Sequence, residues 1–204
     1  MAEKIINVDG VNTPKTNLGK QKMEIIVSAA VDLFTKEGFY QTSISDICKK
    51  AKTAVGTFYI YFDSKADIYR YLMEKYKIEI KRNLSTHIKG CSTRFERERE
   101  GIKCFLKYVL LTPNVYEIIW GSLSIDHNLF SDYYESFAKS YAYSLCRDSK
   151  EVATTDYKTL AYMLMGISNF LGLKTRFENM NEQQIDEMIE QTVMPLLSNG
   201  IFAK

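Results

Sequence analysis

The sequence predicts an all-α protein. Apolar residues recur at three- and four-residue spacing along most of the chain. Cap signals of the Ser-x-x-Asp kind open two of these runs, and no Asn-Gly or Asp-Gly hairpin joins alternating segments. With 204 residues, 46% of them apolar, the chain can bury a core as one large domain or two small ones. Its 25% charged residues, three prolines and ten glycines argue against disorder and for helices.

The elements follow in order. Residues 1–17 are polar, carry Gly10 and Pro14, and read as a flexible N-terminal arm. Over 18–37 the positions Ile25, Ile26, Ala29, Ala30, Leu33 and Phe34 mark an amphipathic helix, which Gly38 stops. Ser43 and Asp46 form a capping box for a short helix reaching about Ala51, with Ile44, Ile47 and Cys48 facing inward. Ser64 and Asp67 repeat the signal before a long helix through Ile68, Leu72, Tyr76 and Ile80. Further on, RFERERE (94–100) reads as a solvated helix start leading into 102–111, and Pro113 suits the first turn of the next helix. An aromatic-rich helix is expected over 127–147 and an apolar one over 154–177. Asn181 caps a last helix reaching about Leu197.

The stretch VGTFYIYFDSK (55–65) packs four aromatics into five positions. On a helix turning about 100° per residue, Val55, Phe58, Tyr59 and Phe62 share one arc, and Gly56, Thr57, Ile60 and Tyr61 point elsewhere. Glycine inside a helix costs about 1 kcal/mol relative to alanine, which makes sense where another surface approaches the backbone. A helix, a tight turn and a short helix with a small, hydroxyl-bearing face and lysines nearby read as a helix-turn-helix. In such a motif Thr57 and Ile60 would meet base edges and thymine methyls, and the Tyr59 hydroxyl would reach a phosphate. Lys65, a cation in the first turn of the following helix, would be relieved by a docked phosphate. The competing reading is a helix that only packs within a bundle.

The span from Ile25 to Tyr69 resembles the DNA-binding domain of the TetR family of transcriptional regulators. The resemblance lies in Ile25–Ala29–Ala30–Leu33–Phe34, Gly38-Phe39, Thr42-Ser43-Ile44 with Ile47 and Ala51, Gly56-Thr57-Phe58-Tyr59, Tyr61-Phe62, and Ser64-Lys65 with Asp67. It implies a three-helix DNA-binding domain over 18–63 and a larger helical ligand-binding and dimerisation domain over 64–204. It also implies phosphate contacts from Thr42, Ser43 and Lys65, groove contacts from Gly56 and Thr57, and a phosphate or base contact from Tyr59. Three positions depart from the family pattern: Lys52 stands where glycine is usual, Ala54 where serine caps the recognition helix, and Tyr61 where histidine is common. Thr53 is expected to take over the cap, Lys52 to add a cation near the backbone, and Tyr61 to keep a hydroxyl within reach of phosphate. With Ile60 these residues complete the expected interface.

Tyrosines crowd 105–143, and buried tyrosine hydroxyls need partners. The resemblance implies a pocket there for a small amphipathic or aromatic effector, with Phe105, Tyr108, Trp120, Tyr134, Phe137 and Met163 as lining. The run LAYMLMGISNFLGL (160–173) is apolar nearly all round. Met165 and Phe170 there, with Ile185, Ile189 and Val193 further on, are the expected dimer interface, in a four-helix bundle of two copies. The whole reads as a ligand-responsive regulator, in the repressor mode commoner for the family, on a palindromic double-stranded operator. The alternative is a dimer of the same fold working through a protein partner or in a non-transcriptional role on DNA.

Charge agrees with a polyanion partner for the front of the chain. The first 92 residues hold 15 Lys/Arg against 10 Asp/Glu, and the rest hold 12 against 15. No nucleophile–base signature or phosphate loop points to an enzyme, and His87 with Cys91 lacks the second pair a metal site would need, so neither cofactor nor metal is expected. Four scattered cysteines, no long apolar run and no signal-peptide pattern suit a cytoplasmic protein without a membrane segment.

Overall fold

The structure, a computed structural model, describes residues 6–200. Among them every named element is helical, apart from one isolated antiparallel bridge between Val11 and Phe62. The helices divide into two compact units. The first runs to Ile78 and takes in Asn114–Tyr133; the second comprises Glu79–Pro113 and the chain from Tyr134. The expected boundary at 63/64 is therefore displaced, since the front of the long helix and the 114–133 segment pack with the three N-terminal helices.

In the first unit, α1 (Asn17–Glu37) begins where the Thr16 hydroxyl accepts the Gly19 N–H at 3.1 Å. It stops at Gly38, whose φ of 87° is open to glycine alone at little cost. Met23, Ile26, Val27, Ala30, Leu33 and Phe34 form its buried face, whereas Ile25 falls on the far side of the wheel and is exposed. The capping box of Ser43 and Asp46 opens α2 (Ile44–Lys50) as expected. A turn leads to α3 (Val55–Tyr61), and α4 (Lys65–His87) follows behind Ser64, which accepts the Asp67 N–H at 3.2 Å. α1 packs on α2, on α3 and on α6 (Val115–Ile125). The Tyr69 hydroxyl donates to Ile118 O at 2.5 Å and that of Tyr40 to Ser124 O at 2.8 Å, which ties α6 to α4 and to the α1–α2 corner. Pro113 precedes α6 by two residues instead of sitting in its first turn.

The turn before α3 runs through Lys52 at φ 51°, left-handed backbone that costs a side chain about 1 kcal/mol. Lys52→Gly is expected to raise the unfolding free energy by about 0.5 kcal/mol, the relief being partly offset by glycine's unfolded-state entropy. A fall in the urea midpoint would show that the lysine side chain contributes more than the strain removes.

Residues 1–17 were expected to be free. Residues 1–5 lie outside the described residues, but from Ile6 the segment is held. Asn12 N donates to Tyr61 O at 2.8 Å and Asp63 N to Gly10 O at 3.0 Å. Pairing partners some fifty residues away leave no local signature, so the segment reads as an arm.

The second unit is built on α5 (Arg94–Leu111), the later part of α7 (His127–Arg147) and α8 (Tyr157–Phe177). α9 (Glu182–Met188) continues through a π-helical turn at Ile189–Val193 into α10 (Met194–Asn199). Asn181 and Gln184 form the capping box of α9, and Asp156 caps α8, which begins three residues after the expected start at 154. Ile102 and Leu106 of α5 pack against Met180, Ile185, Ile189, Val193 and Met194, while Leu145 meets Ala161 and Leu164. Lys103 and Lys107 reinforce this face through Glu190 at 2.6 Å and Asp186 at 3.1 Å.

Two expectations fail in this unit. RFERERE is not a solvated start: Arg94 and Glu98 are only 7% and 8% exposed. Arg94 Nε donates to Glu98 Oε1 at 2.7 Å and Nη1 to Ser144 Oγ at 2.9 Å. The Tyr141 hydroxyl holds the other Glu98 oxygen, and Arg97 meets Asp148 at 2.6 Å. Burial and the Glu98 carboxylate push the Tyr141 phenol well up, and the same carboxylate outweighs burial to hold Arg94 charged. Second, Ile185, Ile189 and Val193, expected at a dimer interface, are buried inside their own protomer because they form the face of α9 and its π turn that covers α5.

Candidate nucleic-acid interface

A seven-residue helix has little stability of its own, so α3 takes its orientation from what it packs on. Phe58 is fully buried and stacks on Phe62 at 5.6 Å, which in turn meets Tyr71 at 5.7 Å. Tyr61 is buried beside them. The outward face is Val55, Gly56, Tyr59 and Ile60, all exposed, with Thr57 half-buried at its margin. This corrects the single-arc reading: Val55 and Tyr59 point to solvent and Tyr61 points in. The helix ends at Tyr61 and Phe62 is extended (φ −138°, ψ 129°), so a helical wheel carried through 62 misplaces the last turn. Tyr61 thus lacks the reach to a phosphate expected of it.

A Cβ added at Gly56 would meet nothing within 4 Å, so nothing inside the protomer demands glycine there. At the end of α2 and in the turn before α3 stand Lys49 and Lys52, both exposed, and Lys50, ion-paired with Asp32. Lys49 and Lys50 were missed as interface candidates although their place at the end of α2 was legible. α3 has no side-chain cap: Ala54 occupies the cap position, and Thr53, expected to substitute, supplies no such bond. Ser43 is exposed at the start of α2, whereas Thr42 is buried with its hydroxyl donating to Gly38 O at 2.8 Å, which removes it from the surface.

Lys65 also differs from expectation. Its ammonium donates to Phe39 O at 2.6 Å and Thr42 O at 2.7 Å and lies 4.3 Å from the centre of the Phe39 ring. Burial lowers its pKa. The α1–α2 corner exposes carbonyls that a cation at the start of α4 can satisfy, so this lysine fastens the corner to α4. Lys65→Gln is expected to weaken DNA binding about tenfold and to lower the melting temperature while leaving the log–log salt slope unchanged. A slope shallower by about one would mean that the ammonium meets a phosphate after all.

The six effector candidates are divided between the two units. Phe105, Tyr108, Tyr134 and Phe137 are half-buried in the second unit, where the Tyr108 hydroxyl donates to Glu79 at 3.0 Å, Tyr134 to Asn169 at 3.4 Å, and Lys81 lies 5.0 Å from the Phe137 ring. Trp120 belongs to the first unit, edge-on to Tyr116 at 5.8 Å, and is exposed; Met163 is exposed on the outer side of α8. Their apolar character was legible, but not the direction each takes on its helix. A cleft of about 410 Å³ in the first unit is lined by the 7–9 segment, α4 and the start of α7, and by none of the six. Among the described residues no three His, Cys, Asp or Glu side chains gather as metal ligands would, and no helix is long and apolar enough to cross a membrane.

A buried-backed short helix offering a small outward face beside lysines defines a helix-turn-helix protein. Residues 26–72 match the model of the bacterial regulatory proteins of the tetR family. It is 52% identical over 52 residues to the uncharacterized HTH-type transcriptional regulator YvdT of Bacillus subtilis, covering 26% of each chain. It is 33% identical over 104 residues to the fatty acid metabolism regulator protein of the same species, covering 51% of this chain and 46% of that one. The chain thus spans between about a quarter and a half of the length of the curated relatives it matches. Among solved structures, the transcriptional regulator FadR from B. subtilis in complex with stearoyl-CoA superimposes with a TM-score of 0.72 at 21% identity, over 88% of this chain and 100% of that one. A TetR-family regulator from Syntrophomonas wolfei gives 0.76 at 22% identity, over 90% and 98%. These likenesses show that the helical fold extends beyond the matched domain.

Proposed function

We propose that the protein is a ligand-responsive transcription regulator that binds an inverted-repeat operator as a homodimer and leaves it when an amphipathic molecule enters the second unit, which makes it a repressor. The observation that carries this reading is the outward face of α3. Val55, Gly56, Tyr59 and Ile60 offer apolar contact and close approach in a family of regulators, with Lys49 and Lys52 beside them for phosphate. Ser43, Thr53 and Thr57 are the hydroxyl contributors in this reading.

Pairing of two copies is supported by α8. Met163, Phe170 and Phe177 are 61%, 69% and 78% exposed and stand seven residues apart, with Gly166 and Leu173 between them. That is the seam of a helix that packs along a second helix. Met165 lies at its margin, half-buried. Leu196 and Leu197 of α10 are exposed as well. For the effector, long-chain acyl compounds are the first to try, given the stearoyl-CoA complex of a protein of similar fold.

Selection of bound duplexes from a random DNA pool tests the reading. Enrichment of an inverted repeat with half-sites about one turn apart, roughly 34–36 Å, and its release by an acyl compound would support it. Failure to enrich any sequence would refute it, and enrichment without release by any amphipathic molecule would remove the effector part.

A further inference from the structure

The recognition helix α3 has no side-chain cap at its start, because Ala54 stands there. Its end is closed by a segment far away in the chain. Asn12 donates twice, from its backbone N–H to Tyr61 O at 2.8 Å and from its side-chain amide to Ile60 O at 3.1 Å, and so satisfies two of the last carbonyls of the helix. Val11 pairs with Phe62, and Asp63 N donates to Gly10 O at 3.0 Å, so three successive residues lie along the chain that leaves α3. Gly10 fixes the depth of this docking: at φ 74° its ideal Cβ would stand 2.6 Å from the Asp67 carboxyl carbon. Asp67 is itself buried, held by Ser64 and by Arg70 at 2.7 Å.

We propose that Asn12 is a positioning residue for DNA recognition: together with Gly10 it straps the C-terminal turn of α3 and holds Tyr59 and Ile60 in the orientation that meets the groove. This rests on the DNA-binding reading above. A two-turn helix capped at neither end frays, and binding through a frayed helix is weakened by the fraction of time it is formed.

The test compares wild type, Asn12→Ala, Gly10→Ala, Ala54→Ser and the double variant Asn12→Ala/Ala54→Ser, which adds the missing cap. Two readouts are taken: affinity for the selected duplex at several salt concentrations, and amide hydrogen exchange of the free protein. The expected result for Asn12→Ala is about fivefold weaker binding, in the range one net hydrogen bond supplies, with an unchanged salt slope. Faster exchange confined to 58–62 should accompany it. Gly10→Ala should do the same or more, and the double variant should recover most of the loss, by a larger factor than Ala54→Ser gives in the wild type. Unchanged exchange at 58–62 would overturn the proposal whether or not DNA binds, as would a salt slope shallower by about one, which would make the segment a direct phosphate contact. If wild type binds no duplex while the exchange effect is present, it is the regulator reading that fails and the strap that stands.

Discussion

Arg94→Ala is expected to lower the unfolding free energy by about 3–5 kcal/mol, the range found when one partner of a buried ion pair is removed. The guanidinium is 7% exposed and donates to Glu98, Ser144 and Asp148; without it the Glu98 carboxylate is left buried with only the Tyr141 hydroxyl on it. For a chain of this length the loss corresponds to roughly 10 °C in melting temperature, readable by circular dichroism. The triple variant Arg94→Met/Glu98→Leu/Tyr141→Phe should regain most of it, because apolar residues of similar volume leave nothing to desolvate. A single variant within 1 kcal/mol of wild type would mean that water reaches Glu98. The network also has a pH dependence of known sign. Burial would raise the Asp148 carboxyl, but Arg97 and Arg94 outweigh it and hold the group below the usual carboxylate range. A depressed carboxyl contributes stability above its unfolded value, about pH 4, and that contribution is lost as pH falls through the folded value.

Phe170→Asp should give a monomer in sedimentation at micromolar concentration and weaken operator binding by at least a hundredfold, since two half-sites held by one dimer gain a factor of that order. The ring is 69% exposed on the seam of α8, so the change leaves no cavity in the protomer. Ile185→Ala makes the contrast: fully buried against α5, it should cost about 2–5 kcal/mol of stability through the cavity it leaves. A Phe170→Asp protein that still sediments as a dimer would place the contact elsewhere, with the exposed Leu196 and Leu197 of α10 as the next face to change.

The parts of the molecule that were legible in the sequence are those governed by near neighbours. Gly38 stops α1, the Ser43–Asp46 box opens α2, and the Asn181 cap opens α9, each within a few residues of its signal. The outward position of Gly56 and Ile60 followed from the helical period, and so did the burial of Phe58. The readings that failed depend on distant partners. Thr42 is drawn inward by Gly38 O, and Lys65 is turned from phosphate toward the Phe39 and Thr42 carbonyls. RFERERE has the composition of a solvated helix, and only Tyr141, Ser144 and Asp148, some forty to fifty residues on, make a buried pair of it.

Local chemistry therefore determined the helices, most of their caps, the resemblance of residues 26–72 to a known family of DNA-binding domains and the outward place of Gly56 and Ile60 on α3, because spacing, capping and backbone preference act over a turn or two of chain. Tertiary structure alone decided which lysines stay exposed and which fastens a corner, which apolar residues of the last helices stay in the protomer, and that residues 10–12 close the end of α3. Those outcomes are set by hydrogen-bond partners and buried neighbours tens of residues apart, and a one-dimensional pattern carries no record of them.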